Sequence, residues 1–196
     1  AFKGCSSLTS ITVAEGNKVY DSRDNCNAII EKDTQTLVAG CKNTKIPEGV
    51  TSVGAGAFYD CTALGSVTFQ NSLESIGDSA FHNTEIKEVS LPDSLTDIGT
   101  GVFSGCSDLR SVKLPSGLKR INNSMFSGCE RLNSIVIPDG VTEIGEEAFA
   151  WCSALTSITI PDSVEEIGFM AFNNCSSLTE VSIPNSVTDI GNGAFG

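Results

Sequence analysis

The stretch Pro138-Asp-Gly-Val-Thr-Glu-Ile-Gly-Glu-Glu-Ala-Phe-Ala-Trp-Cys-Ser-Ala-Leu-Thr-Ser-Ile-Thr-Ile160 decides the architecture. Its 23-residue pattern, P-x-x-V-T-x-I-G-x-x-A-F-x-x-C-x-x-L-x-x-I-x-I, recurs along the chain. All six prolines fall on one slot of the pattern (Pro47, Pro92, Pro115, Pro138, Pro161, Pro184), and Gln70 takes that slot in another copy. Eight of the ten phenylalanines share a second slot: Phe2, Phe58, Phe81, Phe103, Phe126, Phe149, Phe172 and Phe195. One copy is a residue short, where Phe81-His82-Asn83-Thr84-Glu85-Ile86 replaces F-x-x-C-x-x-L and the cysteine is lost. A fixed period in the twenties means a solenoid, in which each unit buries its apolar face only against its neighbours.

Each slot has a physical reading. Leu155-x-x-Ile158-x-Ile160 ends in apolar/polar alternation, which predicts a short strand with one buried face, stacked in parallel from copy to copy. The following Pro lacks an N–H and closes the strand. Ile144-Gly145 predicts a turn at positive φ, repeated at Gly54, Gly77, Gly99, Gly168 and Gly191, with Asn122 as the one non-glycine expected to share that conformation. Ala148-Phe149-x-x-Cys152 spaces apolar groups by three and four, which suits a single helical or 3₁₀ turn.

Residues 14–46 interrupt the period. The runs Cys26–Glu31 and Thr36–Cys41, separated by Lys32-Asp33-Thr34-Gln35, read as a hairpin. With the turn centred on Asp33-Thr34, Cys26 and Cys41 face each other. A cross-strand disulfide is one reading of that pair, and two neighbouring free thiols the other. The remaining six of the eight cysteines (Cys5, Cys61, Cys106, Cys129, Cys152, Cys175) share one slot, which predicts a column of small buried thiols rather than a disulfide framework.

The motif I-P-x-x-V-T-x-I-G-x-x-A-F-x-x-C-x-x-L-x-x-I resembles the repeat signature of the BspA-like leucine-rich repeat family of bacterial surface and secreted proteins. It covers residues 47–196 continuously and 1–13 in part. The fold expected is α/β: a right-handed leucine-rich repeat solenoid over 1–196 with a parallel strand-lined face, short helical or 3₁₀ turns and one irregular, hairpin-bearing repeat. The resemblance also implies an exported or cell-surface location and a role in adhesion or host contact. Both ends fall inside an A-F-x-x-C segment without a capping repeat, so the chain reads as an excerpt of a longer protein. Frayed or end-to-end packed terminal repeats are expected of it.

Chemistry is scarce. His82 is the single histidine, which rules against most Cys-His or Ser-His-Asp schemes, and no C-x₂₋₄-C pair exists for zinc. The cluster Asp21-Ser-Arg-Asp24-Asn25-Cys-Asn27 has carboxylates but not the spacing of an EF-hand loop. No enzyme, cofactor or metal is therefore expected. A net charge of −12 and a pI near 4.4 disfavour nucleic acid and anionic membranes, and no apolar run is long enough to span a bilayer. The few cations that gather mid-chain are Lys87, Arg110, Lys113, Lys119, Arg120 and Arg131.

A binding function would then rest on surface positions. The outward strand residues Ser66, Thr68, Glu88, Ser90, Ser111, Lys113, Ser134, Ser157, Thr159 and Glu180 form a hydroxyl-rich face suited to an extended protein or glycan ligand. Serine and threonine are also ordinary exposed strand residues. Trp151, Phe169 and Met170 lie off the core slots in adjacent repeats and form a candidate lateral patch. A structural spacer with no ligand of its own is the alternative, and it would show no contiguous break in the Ser/Thr monotony.

Overall fold

The computed structural model describes Phe2 and residues 4–196. Each repeat is one coil, and coils stack so that a continuous cluster of buried side chains runs from Cys26 to Ala194. Two strand columns run along the stack, the second of them interrupted. The V-T-x-I segment supplies Ser52–Val53, Ser75–Ile76, Asp97–Ile98, Arg120–Ile121, Glu143–Ile144, Glu166–Ile167 and Asp189–Ile190. Most neighbours in this column pair in parallel, and from Val53 to Ile167 their Ile and Val side chains are buried. The L-x-x-I-x-I segment supplies Glu88–Ser90 paired in parallel with Ser111–Lys113, and Ile158–Thr159 paired in parallel with Val181–Ser182. The second column is the one expected from sequence. The first was read as the approach to a turn, although the β-branched V-T-x-I is itself a strand signal.

The expected helical turn does not form, and the α/β description gives way to an almost all-β solenoid. Among the described residues the one 3₁₀ segment is Arg23–Asn25, in the irregular repeat. Through A-F-x-x-C the N–H groups alternate in use. Those of Ala148, Ala150 and Cys152 close local turns onto Gly145, Glu147 and Phe149, whereas those of Glu147, Phe149 and Trp151 donate to Phe169, Ala171 and Asn173 of the next coil. Half the donors are committed between coils, so no continuous helical ladder is available. Positive φ at Glu147 and Trp151 breaks any remaining helical run.

The glycine slot is also corrected: neither Asn122 nor Gly54, Gly77, Gly99, Gly145, Gly168 and Gly191 has positive φ. Glycine is required there by close approach. A Cβ on Gly168 would lie 2.6 Å from the Glu146 nitrogen, and one on Gly145 would lie 2.8 Å from the Asn123 nitrogen. The N–H of Gly54 donates to the Leu37 carbonyl, and those of the other slot glycines donate to the preceding coil's Ile or Val carbonyl, as in Gly99 to Ile76 (2.7 Å) and Gly145 to Ile121 (2.7 Å). At Asn122 the bond to the Ile98 carbonyl comes from the side-chain amide. The Asp97–Ile98 and Arg120–Ile121 strands fall in separate sheets at this point. Across the same junction the turn face stays bonded, through Phe103 N–H to Met125 and Gly105 N–H to Ser127. The side chain of Asn122 therefore wedges one edge of the stack open.

The irregular repeat is the expected hairpin, extended by a third strand. β1 (Tyr20–Asp21), β2 (Ala28–Glu31) and β3 (Thr36–Gly40) form an antiparallel meander, and β3 then pairs in parallel with Ser52–Val53. It thus opens the stack of coils. Gly40 lies under the first buried phenylalanine, where a Cβ would sit 2.0 Å from the Phe58 ring. A register shift between Ile29 and Ile30 moves the pairing from Ile30–Leu37 to Ile29–Ala39, so residues 26 and 41 are no longer opposite each other. Of the two readings of this pair, the structure has the free thiols and not the cross-strand bridge. Cys26 and Cys41 are buried free thiols, directed at the Ala28 carbonyl (3.8 Å) and the Asn27 carbonyl (3.4 Å).

Two columns fill the core. Phe58, Phe81, Phe103, Phe126, Phe149, Phe172 and Phe195 stack with ring centroids 5.0 to 5.9 Å apart and planes within 15°. Beside them Cys106, Cys129, Cys152 and Cys175 each donate S–H to a phenylalanine carbonyl of an earlier coil, at 3.1 to 3.3 Å. In the short coil Thr84 replaces the cysteine. Its hydroxyl donates to Phe81 and lies 3.3 Å from the Cys106 sulfur, so the column continues through a buried polar group. Cys5, expected in this column, is exposed.

Burial pushes the thiols of Cys61 and Cys175 up from 9.0 to about 11, and those of Cys106, Cys129 and Cys152 upward as well. The folded chain holds these protons more tightly than the unfolded one. Their contribution to stability is therefore intact below pH 9 and lost as pH rises through 11. A thiol reagent should label Cys5 at once in the native chain and the others only on opening. After denaturation the titre should be the same with and without reductant; a two-group difference would restore the Cys26–Cys41 bridge.

Candidate functional site

Every outward strand position singled out from sequence is exposed: Ser66, Thr68, Glu88, Ser90, Ser111, Lys113, Ser134, Ser157, Thr159 and Glu180. Strand register brings some of them together. Glu88 pairs with Ser111 and Ser90 with Lys113, and Arg110 N–H donates to the Lys87 carbonyl (2.8 Å). Around these pairs lies a shallow groove of about 710 Å³, whose polar lining includes Thr68, Asn71, Glu88, Ser90, Ser111 and Lys113. Ser134 to Thr159 and Glu180 continue the face beyond a gap. The 134–136 segment forms no ladder there, and Val136 stands 82 % exposed.

Apart from Glu180, the face breaks its Ser/Thr monotony in one contiguous stretch. Lys87, Glu88, Arg110, Lys113 and Val136 occupy three successive coils, while flanking coils carry Ser66, Thr68, Ser157 and Thr159. The ion pairs among the described residues are Arg23–Asp21, Arg120–Glu143 and Arg131–Asp108. Lys87, Arg110 and Lys113 take part in none of them. The mid-chain cations thus divide: Lys119 and Arg120 lie on the V-T-x-I side, Lys87, Arg110 and Lys113 on the strand face, and Arg131 pairs with Asp108.

Trp151, Phe169 and Met170 are on the turn side of two adjacent coils, away from the groove. Trp151 is 58 % exposed, Phe169 is 42 % exposed, and Met170 is half-buried. Elsewhere on this side Tyr59 and His82 stack with centroids 4.4 Å apart. In the Asp21–Asn27 cluster the Asp21 carboxylate is held by Arg23 (2.8 Å), whose hydrogen bond keeps its pKa below the usual carboxylate value. Among the described residues no group of three His, Cys, Asp or Glu is placed to hold a metal, and no helix is long and apolar enough to cross a membrane.

The repeat geometry has counterparts of known class. The model of the BspA type leucine rich repeat region matches residues 28–156 and 142–196, in six copies. The chain belongs to the BspA-type leucine-rich repeat family. Among solved structures, it is similar to a leucine-rich repeat protein of Eubacterium ventriosum at 27 % identity, with a TM-score of 0.88 over 98 % of this chain and 53 % of that one. A leucine-rich repeat protein of Bacteroides ovatus has 28 % identity and a TM-score of 0.79, covering 97 % of this chain and 47 % of that one. A leucine rich cell surface protein of Faecalibacterium prausnitzii has 32 % identity and a TM-score of 0.63, over 94 % and 45 %. The chain thus spans about half the length of these BspA-type and related relatives. A comparison with curated proteins finds no match. BspA-type repeats generally mediate protein interaction and are generally non-enzymatic.

Proposed function

We propose that this BspA-type chain is a non-enzymatic adhesion module of an exported bacterial surface protein, and that its strand face binds a protein or glycan of a host or neighbouring cell. The supporting observation is the contiguous departure at Lys87, Glu88, Arg110, Lys113 and Val136 on a face whose other outward strand residues are, Glu180 apart, Ser and Thr, close to the groove. A spacer needs no such cluster. Exposed cations on a chain of net charge −12 are placed to select and steer a ligand more than to stabilise the fold.

The labelled chain is expected to bind a subset of arrayed extracellular glycans or proteins. Ser90→Arg combined with Lys113→Glu should lower that binding about tenfold or more, the loss expected when a central contact is removed, with an unchanged circular dichroism spectrum. Undiminished binding by the variant would displace the site from this face. A wild-type chain that binds nothing on either array would leave the spacer reading standing.

The end coils add a second expectation. Phe2 and Val38 are exposed at one end, and Ile183, Ile190 and Phe195 at the other. Exposed apolar patches of a few hundred Å² favour association, and we extend the proposal to end-to-end self-association of residues 1–196 through these groups. Light scattering should show mass rising with concentration. A constant monomer mass would remove this part of the proposal.

A further inference from the structure

The turn side carries an exposed apolar group with chemistry unlike that of the strand face. Its central residue is Trp151, in the slot just before the column cysteine. That slot has positive φ in every described copy, filled by Gly4 (79°), Asp60 (57°), Asn83 (54°), Gly105 (74°), Gly128 (75°) and Asn174 (59°), and here by Trp151 (63°). Glycine, asparagine and aspartate accept this conformation at low cost, and a bulky residue is an outlier in it. Trp151 gains little packing in return, being 58 % exposed.

Its neighbours repeat the anomaly. Met170 (53°) takes a second positive-φ slot whose other occupants are Gly56, Ser79, Gly101, Ser124, Glu147 and Gly193. Phe169 takes the slot of Ala55, Asp78, Thr100, Asn123, Glu146 and Asn192, and remains 42 % exposed. Hydrogen bonds tie the three residues together. Trp151 N–H donates to Asn173 (2.8 Å), and Asn173 N–H donates to Met170 (3.0 Å), one residue beyond Phe169.

Carboxylates recur on the same coils as this apolar group and on the next. Glu143, Glu166 and Asp189 are in register on adjacent parallel strands, about 4.8 Å apart. Glu146 and Glu147 precede Phe169 and Met170 in the same columns. Among the described residues, Glu143 alone of these five acids has a cation partner, Arg120 at 2.6 Å.

We propose that this surface binds a basic segment of a partner protein, with a Lys or Arg side chain laid over Trp151 and others on the acidic ladder. Tryptophan is the preferred ring for cation contacts, and exposed Trp and Met are characteristic of protein interfaces. A neutral glycan could stack on the indole but would leave the like-charged ladder unrelieved. A Lys- or Arg-bearing segment meets both features.

Trp151 is the chain's single tryptophan, so its fluorescence reports the site directly. The probes are short peptides alternating Lys or Arg with Leu, with Glu replacing the cations in the control. The basic peptides should change Trp151 emission saturably and the acidic control should not. By calorimetry, Trp151→Asn and Phe169→Asn should each weaken binding about tenfold or more. Asn is native to both slots (Asn83, Asn174; Asn123, Asn192), so the variants retain the fold. Lys113→Glu on the strand face should leave peptide affinity unchanged, which separates this proposal from the adhesion reading. Equal affinity in wild type and both Asn variants would overturn the site, as would absence of binding. A dimer that is abolished by Trp151→Asn would assign the patch to a second copy instead.

Discussion

Phe126→Ala should lower stability by about 3–5 kcal/mol, the range for a buried phenylalanine truncated in a tightly packed core. Phe126 is fully buried and stacks on Phe103 at 5.9 Å and Phe149 at 5.5 Å, so one substitution removes two ring contacts. The backbone around it cannot collapse into the cavity. The N–H groups of Phe103 and Phe126 are bonded to Met125 and Ala148, which hold the coil spacing at that level. A solenoid also transmits the defect only to nearest neighbours. Denaturant unfolding should therefore become less cooperative, with coils on either side of Phe126 melting apart. A loss under about 1 kcal/mol with one sharp transition would show that the ring column is not the principal core.

Gly168→Ala should be nearly as damaging, at or above the upper end of the roughly 1–3 kcal/mol typical of overpacking. The added methyl would meet Glu146 nitrogen at 2.6 Å and the Gly145 carbonyl carbon at 2.7 Å, and backbone cannot yield as a side chain can. It should also weaken the Gly168 N–H bond to Ile144 (2.7 Å). Asn122 shows what a side chain in this slot does, since the strand column divides at that coil. The converse change, Asn122→Gly, should let the Arg120–Ile121 strand pair with Asp97–Ile98. Hydrogen exchange should then slow at residues 120–122. Unchanged exchange there, or a neutral Gly168→Ala, would mean that the slot does not set coil spacing.

The period was fully legible in the chain, and with it the stacked coils, the phenylalanine column, the thiol column and the hairpin. These follow from side-chain identity repeated at one interval, and burial of identical faces against each other leaves little choice of arrangement. The outward strand residues were legible for the same reason: alternation in a strand decides which side chains meet solvent. Where backbone donors go was not. A-F-x-x-C has helical spacing, yet its N–H groups are shared between local turns and the next coil, a division that depends on how closely the coils approach. That approach also explains the slot glycines, which look in sequence like a demand for positive φ and in space accommodate a neighbour's backbone. The residues that do adopt positive φ, Glu147, Trp151 and Met170 among them, are types that seldom signal it. The acidic ladder beside Phe169 likewise required the register of Glu143, Glu166 and Asp189. Sequence by itself determined the repeat and its buried columns, because those depend on composition at a fixed interval. Only the tertiary structure decided the strand pairing, the break at Asn122 and the grouping of Trp151 with Phe169 and Met170, because each depends on the distance between coils rather than on the content of any one.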